Sequence, residues 1–212
     1  ISQLQNITTR SIPVETLPKS ADIHQAIELF DKINSQGTHL SDAELALAHM
    51  SAEWAYIRRH MKEKKAELAD QGFDFNLNFY VKCMIGTLTE TMTYEQVYDV
   101  PEDDLKSQWD ELAKDGGIFD YVINVLKNDG HIPTSDYINT RDVLIPFIVY
   151  LNKQEKQLSH EEKTQFLRWL YSAMMWSRYS GSSDTTVEHD ISLLEGESPT
   201  DQLTQEIRDD RG

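Results

Sequence analysis

Cysteine is almost missing from this chain of 212 residues: Cys83 stands alone, which excludes an intramolecular disulfide and a multi-cysteine zinc site. A lone thiol suits a reducing compartment, so the expected location is the cytoplasm. Basic residues are also scarce. Lys and Arg number 20 against 36 Asp and Glu, and the net charge of −16 repels polyanions from most of the surface. No apolar run approaches the roughly 18 residues that cross a bilayer, and nothing at the start resembles a signal peptide, so a membrane is not an expected partner. Phosphate-cradling, dinucleotide-binding and nucleophile-elbow glycine patterns are all missing, as is a His-Glu-x-x-His helix. No catalytic residue and no resident cofactor or metal are predicted for this chain.

What is present is helical periodicity. Ser11–Leu17 alternates polar and apolar residues around Pro13 and reads as an edge strand, completing a sheet whose other strands precede Ile1. Beyond it the apolar spacing is 3 and 4. Ile23, Ala26, Ile27, Phe30 and Ile33 predict a first helix after the N-cap Ser20. Leu47, Met50, Trp54, Ile57 and Met61 predict one continuous second helix running to about Gly72. Leu77 to Leu88, capped by Asn76, form a third, and a fourth opens with Pro101 at its first position and is kinked or split at Gly116-Gly117. Val143–Val149 is apolar on every side, which predicts a central fifth helix bent at Pro146. Ser159 and Glu162 make a capping box for a sixth. Val187, Ile191 and Leu194 mark a seventh, and Pro199 starts a frayed eighth containing Leu203 and Ile207.

The expected fold is thus mainly α, a bundle of about six to eight helices with one or two short N-terminal strands. Residues 1–20 read as a leading strand segment, 21–196 as the bundle and 197–212 as a frayed end. The chain starts without Met and ends on Arg208-Asp209-Asp210-Arg211-Gly212, as a fragment would.

Between the first two helices lies the best-specified corner. Asn34 stops the apolar spacing, Gly37 supplies a residue able to take positive φ, and Leu40-Ser41-Asp42-Ala43-Glu44-Leu45 restarts a helix with a capping box. The pattern Phe30-x-x-Ile33-Asn34-x-x-Gly37-x-x-Leu40-x-x-x-Glu44-Leu45 resembles a motif of the N-terminal region in GmrSD-type, modification-dependent restriction proteins. Ser11–Leu17 before it is similar in order to that family, as is Arg178-Tyr179-Ser180-Gly181 followed by Asp190. The family's Asp-Gly-Gln-Gln-Arg nucleotide signature and its His-Asn-His nuclease domain are not in this chain, which resembles the middle of such a protein.

The resemblance implies a parent that uses NTP and Mg²⁺ to restrict modified phage DNA. Its partners would be an upstream nucleotide-binding domain and a possible downstream nuclease, with DNA met only through the parent. Asn34, Ser35, Gly37 and Thr38 would then shape the nucleotide pocket, or else serve only as an interhelix turn.

Two further sites rest on charge. Arg58, Lys62 and Lys65 share one helix face and are candidate DNA-phosphate contacts, the alternative being cations that complement a helix C-terminus. Arg178 and Ser180, in a hydroxyl-rich loop between helices, are candidate anion ligands; otherwise Arg178 pairs with a nearby acid. His49 and Glu53 are too few to hold zinc, and Glu188-His189-Asp190 point in different directions on a helix. The competing function is a non-catalytic acidic helical module for binding a basic partner or forming a homo-oligomer.

Overall fold

The structure is a computed structural model that describes residues 41–154, 158–181, 183–196 and 199–209, together with Pro18, 25–27 and 29. The chain divides into two compact units, Ile1–His39 and Leu40–Gly212. In the first, residues 25–27 and 29 are helical, within the span that the apolar spacing predicts, and Ile27 is buried. The expected strand at 11–17 lies outside the described residues, as do Asn34, Ser35, Gly37 and Thr38 of the corner.

The second unit is a helical bundle. Its nine α-helices, counted among the described residues, are α1 (Asp42–Glu53), α2 (Ile57–Asp70), α3 (Leu77–Thr89), α4 (Glu102–Ala113), α5 (Ile118–Asn124), α6 (Ile145–Gln154), α7 (His160–Met175), α8 (Ser183–Ser192) and α9 (Pro199–Asp209). No strand occurs among these residues. No helix among them is long and apolar enough to cross a membrane.

Local chemistry explains most of the boundaries. Ser41 Oγ accepts from the Glu44 N–H at 3.3 Å while the Glu44 carboxylate accepts from the Ser41 N–H at 2.9 Å, the reciprocal box that starts α1. Ser159 and Glu162 repeat it at α7. Asn76 Oδ1 accepts from the Phe79 N–H at 3.0 Å to start α3. Pro101 occupies the N-cap of α4 rather than its first turn, and Glu102, Asp103 and Asp104 follow where the helix dipole favours anions. Gly116, at φ +70°, and Gly117 separate α4 from α5, which continues into a π-helical turn over Val125–Asp129.

One expectation needs correction. The predicted second helix is broken: Trp54 is extended, at φ −124° and ψ 93°, and α2 begins afresh at Ile57. Trp54 is buried by that turn and stacks on His60 at 5.1 Å. Met50, Trp54, Ile57 and Met61 are all buried on both sides of the break, so their spacing gave no sign of it. Pro146 is the second residue of α6, directly after the 3-10 turn Arg141–Leu144, so the helical path changes from 3-10 to α beside it.

The core centres on α3 and α6, whose residues from Ile145 to Leu151 are all buried. Gly86 lets the two helices approach: a Cβ there would sit 3.0 Å from Val149 Cγ2. Phe75, Phe79, Tyr80, Trp109 and Phe119 pack edge-to-face and stacked beside it. At the C-terminal end α9 lies on α7 and buries Leu203 and Ile207.

Candidate functional site

Lys82 is the one ammonium set into the otherwise largely buried stretch Phe79–Thr87 of α3. Its Nζ lies 2.7 Å from Asp142 Oδ2, in the 3-10 turn Arg141–Leu144, and 2.5 Å from Asp184 Oδ1, in the first turn of α8. Tyr94, in the 3-10 turn Tyr94–Val97, donates its hydroxyl to Asp184 Oδ2 at 2.7 Å. Three elements thus close on one cation, and the Tyr94 turn is tied to it through Asp184.

Burial alone would pull the Lys82 ammonium down, but its hydrogen bonds to Asp142 and Asp184 outweigh that and hold its pKa above the ordinary value. Burial raises the Tyr94 hydroxyl, and the charges of Asp184, Asp142 and Asp42 push it further.

A second network adjoins the first. Arg178 Nε and Nη2 donate to Asp190 Oδ2 at 3.0 Å and Oδ1 at 2.6 Å, and the Tyr179 hydroxyl donates to Asp190 Oδ2 at 2.5 Å. Arg178 is 6% exposed and Asp190 is fully buried. Burial, then the Asp190 carboxylate, pushes the Tyr179 hydroxyl up, and Asp142 adds to it. Of the two readings of Arg178, the structure has the acid pair: its guanidinium is committed to Asp190. Ser180 is exposed, in a turn closed by its own N–H on Ser177 O at 2.9 Å.

The basic stripe divides. Arg58 and Lys62 are exposed and enter no ion pair among the described residues, whereas Lys65 is bound to Asp74. Lys64, off that stripe, is buried between Glu67 at 2.8 Å and Asp120 at 2.7 Å. The break at Trp54 also overturns the dipole explanation, because Arg58 and Arg59 stand in the first turn of α2, the end that favours anions. Arg59 rests instead on the Tyr56 ring at 4.7 Å and pairs with Glu63 at 3.5 Å. His49 is buried and stacks on Tyr98 at 3.7 Å, and no group of three or more His, Cys, Asp or Glu among the described residues is arranged to hold a metal.

Sequence reasoning missed Lys82, Tyr94, Asp142 and Asp184. A usable signal existed for Lys82, a lone charge within the apolar run Tyr80–Ile85. Asp142 and Asp184 carried none, because an acid beside a helix start is ordinary. With both carboxylates on one ammonium, the arrangement is a joint that sets the positions of four elements. It is not an open ligand set for a cation or a phosphate.

No protein-family model, curated protein or solved structure matches this chain.

Proposed function

We propose that this chain is the helical part of a GmrSD-like, nucleotide-dependent and modification-sensing DNA restriction protein, acting in phage defence by bracing a nucleotide-handling domain. What supports the reading is where the two resembling segments lead. The first runs into Asp42 and the Leu40–Leu45 capping box; the second, Arg178–Gly181, runs into Asp184 and Asp190. Asp184 and Asp190 both lie on α8, the first holding Lys82 and Tyr94 and the second Arg178 and Tyr179. On this reading α8 couples the Arg178 pair to the Lys82 joint.

By the same resemblance NTP and Mg²⁺ belong to the parent protein. The described residues do not suit them here: Arg178 is held by Asp190, and Asp142 and Asp184 by Lys82. On this reading the chain alone lacks a complete nucleotide site, and calorimetry with each NTP should show no binding tighter than about 10 μM, roughly −7 kcal/mol. The decisive observation is the coding sequence upstream of Ile1. An Asp-Gly-Gln-Gln-Arg run there, with NTP turnover of the longer protein lost in Lys82→Met while its fold survives, sustains the proposal. Absence of the run removes it.

The second reading, an acidic interaction module, is favoured by the exposed large apolar residues Tyr137, Tyr171, Met175 and Trp176.

A further inference from the structure

Among the described residues, the large exposed apolar side chains gather at the last turns of α7. Arg168, Tyr171, Ser172, Met175 and Trp176 recur at spacings of 3 and 4 and so share one side of the helix. Tyr171 is 41% exposed, Met175 78% and Trp176 48%, and Tyr137 beyond them is 67% exposed. Asn139 Nδ2 donates to Met174 O at 2.8 Å, which ties the Tyr137 turn to this end of α7. Across the helix, Thr204, Ile207 and Arg208 of α9 form the far wall of a cleft of about 250 Å³ with Arg168, Ser172 and Trp176.

The exposure of Trp176 is built into the backbone. Ser177 turns left-handed at φ +51°, with its N–H on Met174 O at 3.1 Å and the Arg178 N–H on Ala173 O at 3.0 Å. That is the Schellman ending in which glycine is the usual residue, so a serine there is strained. The next residue, Arg178, enters the buried pair with Asp190. Half-exposed indole, strained serine and inward guanidinium are thus three consecutive residues.

Charge says what fits. In a chain of net charge −16, Arg168 and Arg208 flank this apolar face exposed, with no ion pair among the described residues. A basic partner would choose the acidic remainder of the surface over this place. We infer that the α7 face receives an acidic segment of a partner protein, which seats an apolar side chain beside Met175 and Trp176 and lays carboxylates on Arg168 and Arg208.

The probe is a displayed library of random dodecapeptides selected on the whole chain. Enriched peptides should pair Asp or Glu with Leu, Phe or Trp and bind more weakly as salt rises. Their affinity should fall about tenfold or more in Arg168→Glu/Arg208→Glu and in Trp176→Ser, and stay unchanged in Arg58→Glu/Lys62→Glu. If charge reversal disturbs folding, Arg168→Gln/Arg208→Gln should show the same loss. No enrichment, enrichment without acids, or affinity indifferent to Arg168, Arg208 and Trp176 would overturn the inference. So would a concentration-dependent dimer in sedimentation that Trp176→Ser abolishes, since the occupant would then be a second copy.

Discussion

Arg178 holds Asp190 through two N–H groups, at 3.0 and 2.6 Å, in a place where the carboxylate has no contact with solvent. Removing one partner strands the other's charge. Asp190→Leu should therefore destabilise the chain by about 3–5 kcal/mol, and Arg178→Met/Asp190→Leu together by clearly less than the two single changes, Arg178→Met and Asp190→Leu, summed. Urea unfolding of the four chains makes the comparison; additive losses would mean that the pair does not act as a unit.

The Lys82 joint predicts a failure at high pH. Lys82 and Tyr94 both have folded pKa values raised above their unfolded ones. Each contributes stability that is complete below its unfolded pKa, near 10, and is lost as pH rises beyond it, because the unfolded chain then releases a proton that the folded chain retains. Folding free energy should decline above about pH 10. In Tyr94→Phe the slope should be shallower by up to about 1.4 kcal/mol per pH unit. An identical slope in the two chains would exclude Tyr94 from the coupling.

Tyr80 is fully buried among Phe75, Phe79, Trp109 and Phe119, and its hydroxyl has no hydrogen-bond partner among the described residues. Burial pushes that hydroxyl's pKa far up. Tyr80→Phe removes a desolvated polar group without altering the ring, so it should leave stability unchanged or raise it by about 1 kcal/mol. Thermal melting would detect this as a higher midpoint, and a substantial fall would reveal a partner for the hydroxyl.

Cys83 is fully buried, and burial first, then the Asp142 charge, raises its thiol well above the ordinary range. A neutral, enclosed thiol is a poor nucleophile. A thiol reagent added to the native chain should react only at the rate of global opening and completely in denaturant. Rapid labelling under native conditions would show that α3 opens locally.

The helices were legible where a local rule and a packing rule coincide. The Ser41 and Ser159 boxes, the Asn76 cap and the apolar circumference of 143–149 all appear as read, because a cap is a contact between residues three apart and a fully apolar segment has no face to offer water. The break at Trp54 was not legible. The buried positions keep a helical rhythm across it, and no glycine or proline marks it.

Sequence by itself determined that this chain is largely helical, where several of its helices start and which of their faces turn inward, since these follow from interactions within one or two turns. Tertiary structure alone decided which charges meet. Lys82 finds Asp142 at a separation of 60 residues, and Tyr94 finds Asp184 at 90. A hydrogen bond over such a distance along the chain leaves no periodicity behind it. It exists because the packing of α3, α8 and two short turns brings their polar groups within hydrogen-bond reach and leaves Lys82 and Asp142 little solvent.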